Sequence, residues 1–290
     1  MSKTANISWV VLLLAFVWQG CSKEDVLNRE PSVEEIEKYT RDKQDDNAVF
    51  TYAQYRELLA ELSKSKYKVL PINEFRNYKD GSKVLVGFRH DIDWHPFKAV
   101  EMARLENEYG LRSTWYVLPT APYFGRFELN EIRRFKSMGP VYQELARRGE
   151  VGIHLDLLTV MVFWQLNPMV EHNKDMSLFR DLNINIYGAA SHGSKIAQIT
   201  HVNNYEMIKE YTHRQFFRYR DKTYPLGQFT LHQAGFEYEA YHINYEWYFS
   251  DVGGKWNTPG GDFEGMMEQL RKAPPGMRIE LLVHPVWWKK

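Results

Sequence analysis

The residues best placed to do chemistry are Asp91 and Asp93, which follow His90 at the end of the apolar run Val84-Leu-Val-Gly-Phe. Three further histidines close other apolar runs: His154 with Asp156 behind it, His192 in Ser191-His-Gly193, and His284 before Pro285. Imidazole and carboxylate without thiolate form the donor set of zinc or a related divalent cation. Three such ligands and an open fourth position bring the pKa of water down to about 7, while a neighbouring carboxylate and imidazolium serve as base and acid. That combination suffices to hydrolyse an amide or an ester. No serine nucleophile is indicated, because G-x-S-x-G is absent. The remaining histidines (His95, His172, His201, His213, His232, His242) lack a strand-end position and read as packing or surface residues.

Groups so far apart in sequence meet only if parallel strands deliver them. A valine- and leucine-rich run without alternation is buried on both faces, as in a parallel sheet. The carboxyl ends of such strands are where α/β sites are built. The pattern predicts strands over 67–70, 83–89, 113–118, 150–154, 184–190, 246–249 and 278–283. A helix is expected behind the Thr51–Gln54 capping box, with Tyr55, Leu58, Leu59 and Leu62 on one face. Another opens at Pro96 and stops at Gly110, and more are expected over 140–148, 169–182, 203–212 and 262–272. Strand and helix in alternation imply right-handed crossovers and a parallel sheet. No glycine-rich phosphate loop is present, which favours a barrel over a dinucleotide fold. The connection 119–139 is long and carries Tyr123, Phe124 and Phe127, as expected of a segment that shapes binding.

The start of the chain reads differently. Ile7 to Trp18 is apolar behind Lys3, too short to span a membrane, and ends at Gly20-Cys21, which gives residues 1–20 the form of a signal peptide. Cys21 is the single cysteine, so no intramolecular disulfide and no cysteine-rich zinc site can form. Its setting resembles a bacterial lipobox, which implies lipidation at Cys21 and an outer-membrane lipoprotein held by lipid alone. Residues 21–47 are polar and read as a flexible tether, with a short helix after a Ser32–Glu35 capping box. Residues 48–290 form the folded domain. With 37 basic and 37 acidic residues in balance, nothing points to nucleic acid.

Several motifs combine over 48–290: Phe88-Arg-His-Asp-Ile-Asp93, Ala99-x-x-x-Ala103-x-x-Glu106-x-x-x-Gly110-x-x-Ser-Thr-Trp-Tyr116, and Glu150-Val-Gly-Ile-His154. Ser191-His-Gly193, Ser250-Asp-Val-Gly-Gly-Lys-Trp256 and Leu282-Val-His-Pro-Val-Trp-Trp288 complete the set. Together they resemble the polysaccharide deacetylase superfamily, related to carbohydrate esterase family four. The resemblance implies a distorted (β/α)7 barrel, a divalent metal (zinc), and removal of N- or O-linked acetyl groups from a polysaccharide. It implies Asp91 as catalytic base, Asp93 and His154 as metal ligands, and His284 as general acid. Leu158 stands where the family has its second metal histidine, and His192 from the next strand end is the candidate third ligand. Ile92 separates two acids that are adjacent in the family, which leaves the roles of Asp91 and Asp93 interchangeable. The R-x-P-Y motif that orients the base is absent. Asp251, Trp256 and Trp287 are expected at the substrate, the tryptophans as stacking surfaces. Two other readings stay open: a glycan-binding lipoprotein of this fold without turnover, and a hydrolase of another C–N bond such as those of peptidoglycan.

Overall fold

A computed structural model describes residues 29–41, 48–128 and 130–290. The expected signal peptide, Cys21 and the tether residues 21–28 and 42–47 lie outside the described residues. The chain alternates between short strands and helices. It begins with α1 (Val33–Arg41), β1 (Phe50–Thr51), α2 (Tyr52–Leu62), β2 (Tyr67–Leu70) and α3 (Ile72–Phe75). Then come β3 (Val84–Ile92), α4 (Pro96–Glu108), β4 (Thr114–Val117) and a hairpin of β5 (Gly125–Glu128) with β6 (Glu131–Arg134). Next are α5 (Gly139–Arg148), β7 (Glu150–Leu155), α6 (Leu157–Val162), α7 (Pro168–Asp181), β8 (Gly188–Ser191) and α8 (Lys195–Thr200). A second hairpin, β9 (Phe216–Tyr219) with β10 (Lys222–Pro225), precedes β11 (Tyr238–Glu239) and β12 (Trp247–Ser250). The chain closes with α9 (Phe263–Lys272), β13 (Arg278–Val283) and β14 (Trp288–Lys289).

The strands form a curled parallel sheet, a half-barrel in the order β11-β8-β7-β4-β3-β13-β12. β3 lies inside it between β4 and β13, and all nine of its residues are buried. One edge of β3 pairs with β13, while the other is shared, β2 taking Val84–Gly87 and β4 taking Arg89–Ile92. The helical side is the large apolar core, into which Val86, Phe88, Trp115, Ile153, Leu281 and Val283 point. Both expected capping boxes form: Gln54 N–H donates to Thr51 Oγ1 at 3.2 Å, and Ser32 N–H donates to Glu35 Oε2 at 2.8 Å.

The concave side is layered. At the amino ends of the strands α3 forms a floor, with Ile72 packed against Tyr116, Ala190 and Tyr238. Contact there is so close that a Cβ on Gly87 would sit 2.7 Å from the Phe75 ring, and one on Gly188 would sit 2.3 Å from that of Tyr238. Above the floor lies Arg89, wholly buried, its guanidinium 4.5 Å from the Tyr241 ring centre. The carboxyl ends of the strands form the mouth.

Four expectations change. The segment before residue 42 is not all tether: α1 docks on the domain, with Ile36 and Thr40 buried. Trp94 Nε1 donates to Thr40 O at 3.1 Å, and Ser137 Oγ to Pro31 O at 2.8 Å. Ile36 supplies the apolar anchor that a tether would lack. The strand expected over 184–190 is only Gly188–Ser191, and β11 was not foreseen. The helix expected over 203–212 is two 3-10 turns, Asn204–Met207 and Lys209–Tyr211, because the Asn204 side chain is drawn inward. The long connections after β4 and β8 each carry a hairpin.

Candidate metal centre and acid–base pair

Strand parity decides what reaches the mouth. On β3, Arg89 and Asp91 face the concave side and His90 the helical core; Asp93 follows one residue past the strand end, on the side of Asp91. Along the curled sheet the site therefore runs from His192 after β8, through His154 on β7 and the two acids of β3, to His284 after β13 and Asp251 after β12.

His154 Nδ1 donates to the carbonyl of Ala190 at 2.8 Å, which leaves the lone pair on Nε2. That atom lies 3.3 Å from Asp93 Oδ1. His192 Nε2 lies 3.9 Å from the same oxygen, and its Nδ1 is 3.3 Å from Asp156 Oδ2. One donor atom from each of Asp93, His154 and His192 falls within 4.8 Å of the others. Ligands 2.0–2.2 Å from a tetrahedral zinc are about 3.3–3.6 Å apart, close to the spacings seen. Asp93 Oδ1 is buried and accepts no hydrogen bond, as a donor atom reserved for a cation would be. The three side chains thus fit a divalent metal. Burial opposes ionisation of Asp93, but its contact with His154 and the pull of the neighbouring imidazoles outweigh it, holding the carboxyl well below the usual range.

The surrounding residues orient this triad. Asp156 accepts from Thr120 Oγ1 at 2.9 Å and from Asn204 Nδ2 at 3.3 Å, which steadies the carboxylate behind His192. Leu158 is fully buried in the core, so its position cannot supply a ligand, and His192 stands beside His154 with ring centres 4.9 Å apart. Asp91 lies next to the triad, its Oδ2 3.6 Å from His154 Nε2 and its Oδ1 without a hydrogen-bond partner. Arg89 fixes it, Nη2 reaching Asp91 Oδ2 at 3.1 Å and Nη1 reaching Glu280 Oε1 at 2.7 Å. Burial pushes Glu280 up to about 8, although Arg89 pulls the other way.

His284 is held from behind. Its Nδ1 donates to Asp251 Oδ1 at 2.6 Å, and Asp251 also accepts from Trp288 Nε1 at 2.8 Å. Burial works against the imidazolium, but Asp251, then Asp93 and Asp91, raise it to about 9. Nε2 is thus a proton donor at neutral pH.

Two of the expected substrate contacts are corrected. Asp251 is fully buried and serves His284. Trp256 is 2% exposed and packs on Phe50 and Trp288 in the core, because the turn after β12 folds its ring inward. Trp287 is half-buried beside Gly254 and keeps one side toward solvent. Arg89, Glu280, Thr120 and Asn204 were not singled out by the sequence. The available signal was a charged residue within an apolar run, Arg89 after Val84–Phe88 and Glu280 within Ile279–Val283.

No protein-family model, no curated protein and no solved structure matches this chain.

Proposed function

We propose that the protein is a metal-dependent deacetylase, with a distorted (β/α)7 barrel of the polysaccharide deacetylase type, acting on an acetylated polysaccharide outside the cytoplasm. The observation that carries this reading is the Asp93–His154–His192 triad with a braced base, Asp91, and a braced acid, His284, on neighbouring strand ends. Asp93, His154 and His192 would hold a divalent cation, zinc by its donor set, which would supply Lewis acidity toward a carbonyl and acidify water to a pKa of about 7. Asp91, held in place by Arg89, takes the proton from the attacking water. His284 gives its Nε2 proton to the departing amine or alcohol, and Asp251 stabilises the imidazolium until then. The anchor belongs to this reading as well: lipid at Cys21 holds the domain at the outer membrane. No helix among the described residues is long and apolar enough to cross a membrane.

The test is metal content by elemental analysis, together with acetate release from defined acetylated oligosaccharides and from peptidoglycan fragments. The purified protein carries one bound metal and releases acetate from the oligosaccharides, and Asp93→Ala or His154→Ala loses both. Undiminished acetate release by either variant overturns the reading. Cleavage of peptidoglycan fragments alone reassigns it to another C–N bond.

A further inference from the structure

Glu239, the last residue of β11, is wholly buried and has no part in the chemistry proposed above. β11 pairs with β8 at only two positions, Tyr238 with Gly188 and Glu239 with Ala189. The chain then leaves the sheet in a 3-10 turn, Ala240–His242, while β8 runs on to Ser191 and the metal-site His192. The partner strand therefore stops before the histidine is reached.

In a parallel pair, alternate residues turn their backbone groups to the same neighbour. Just before β8, Tyr187 C=O accepts from Glu237 N–H at 2.7 Å, so residues 187, 189 and 191 face β11. Ser191 N–H then faces a strand that has already ended, and a buried N–H without a partner is costly. Glu239 Oε1 accepts from it at 2.9 Å, and Oε2 accepts from Tyr241 N–H at 2.9 Å. One carboxylate continues the ladder past its end and closes the turn that ended it. The other holds on this strand end come from different sides. His192 N–H donates to Leu155 O at 2.9 Å, and Asn204 Nδ2 donates to His192 O at 2.8 Å. His192 Nε2 stands 3.9 Å from Asp93 Oδ1, against 3.3 Å for His154 Nε2, so outward movement at this corner opens the triad further.

We propose that Glu239 is a positioning residue for the metal centre: its carboxylate fixes Ser191, and through it the reach of His192 toward Asp93. The inference rests on the metal triad of the proposed function, and its test is a binding measurement that needs no turnover. A second carboxylate supplies the control. Glu150, at the amino end of β7, accepts from Asn73 N–H at 3.0 Å, Thr114 Oγ1 at 2.6 Å and Tyr238 Oη at 2.7 Å. It ties the same strands together at the end of the sheet away from the mouth.

Zinc affinity by chelator competition and the visible spectrum of the Co²⁺-loaded protein compare the full-length parent with Glu239→Gln, Glu239→Leu and Glu150→Gln. Thermal unfolding checks that each variant folds. Glutamine keeps one of the two acceptors and leucine keeps neither. Zinc affinity falls about tenfold in Glu239→Gln and further in Glu239→Leu, and the cobalt spectrum changes with it. Glu150→Gln unfolds at a lower temperature than the parent but binds zinc as tightly. If Glu239→Leu does not fold, Glu239→Gln alone decides. Parent affinity and an unchanged cobalt spectrum in the folded Glu239 variants overturn the role. An equal loss of affinity in Glu150→Gln overturns it too, since the effect is then one of general stability. A parent that binds no metal overturns both this role and the metal centre. Weakened binding by the Glu239 variants of a protein that releases no acetate keeps the role and removes the deacetylase reading.

Discussion

His90 and Asp91 are neighbours in sequence, yet they belong to two different polar clusters on opposite faces of β3. His90 points into the helical core. Its ring stacks on Trp115, 3.8 Å between centres, and its Nε2 meets Tyr55 Oη at 3.0 Å and Glu106 Oε1 at 3.1 Å. Glu106 in turn accepts from Ser113 Oγ at 2.5 Å. Asp91 points the other way, to Arg89 and the metal triad. Both clusters pair histidine with carboxylate. They differ in access, the side chains of His90 and Glu106 being 0% and 1% exposed, those of Asp93 and His192 35% and 23%. Burial pushes Glu106 up to about 8 against its Ser113 and Tyr55 hydrogen bonds, and lowers His90. The outward cluster is therefore a neutral network that ties α2 and α4 to the sheet. The inward one keeps its charge and its open valences.

Four substitutions probe that contrast, beginning with the largest effect. Asp251→Asn removes the charge that holds His284 protonated, and under the proposed deacetylase reading kcat is expected to fall about a hundred- to ten-thousandfold. The same reading expects the parent to lose rate as pH rises through about 9, and the variant to lose it at lower pH. An unmoved limb would show that another group is the acid. Arg89→Met leaves Asp91 and Glu280 buried without a counter-charge, at about 3–5 kcal/mol of folding stability by denaturant titration.

Asp156→Asn keeps the shape behind His192 but weakens its orientation, so metal affinity falls about ten- to a hundredfold in a chelator competition. Glu106→Gln is the mildest. The parent's contribution from Glu106 is fully present below its unfolded pKa of about 4.5 and is lost as pH rises through about 8. The variant flattens that part of the stability curve and retains bound metal. Metal loss in Glu106→Gln would mean that the two faces of β3 do not act separately.

Parity explains what the sequence revealed and what it hid. The strand ends at Asp93, His154, His192 and His284 were legible because an apolar run that stops in charge marks a strand and its exit together. The helix from Pro96 and the Thr51–Gln54 box were legible because they depend on neighbours within four residues. β8 was misjudged because Gly188 and Ala190 are small to make room for Tyr238 and Tyr116, which removes the β-branched signature of a strand. Arg89 was passed over because its carboxylate Glu280 is 191 positions away. Asp251 was noticed but given to the substrate, since only its contacts with His284 and Trp288 reveal which way it faces.

The placement of β3 between β4 and β13 also sets an order of assembly. Its last residues gain a partner on one edge from 114–117 and on the other from 278–283, near the end of the chain. Loop closure over such separations is slow, and its entropy must be overcome before any contact compensates. Arg89, Asp91 and Asp93 are therefore expected to stay hydrated until the final strand docks. Metal affinity and native packing of β3 should then appear in the same late kinetic phase of refolding.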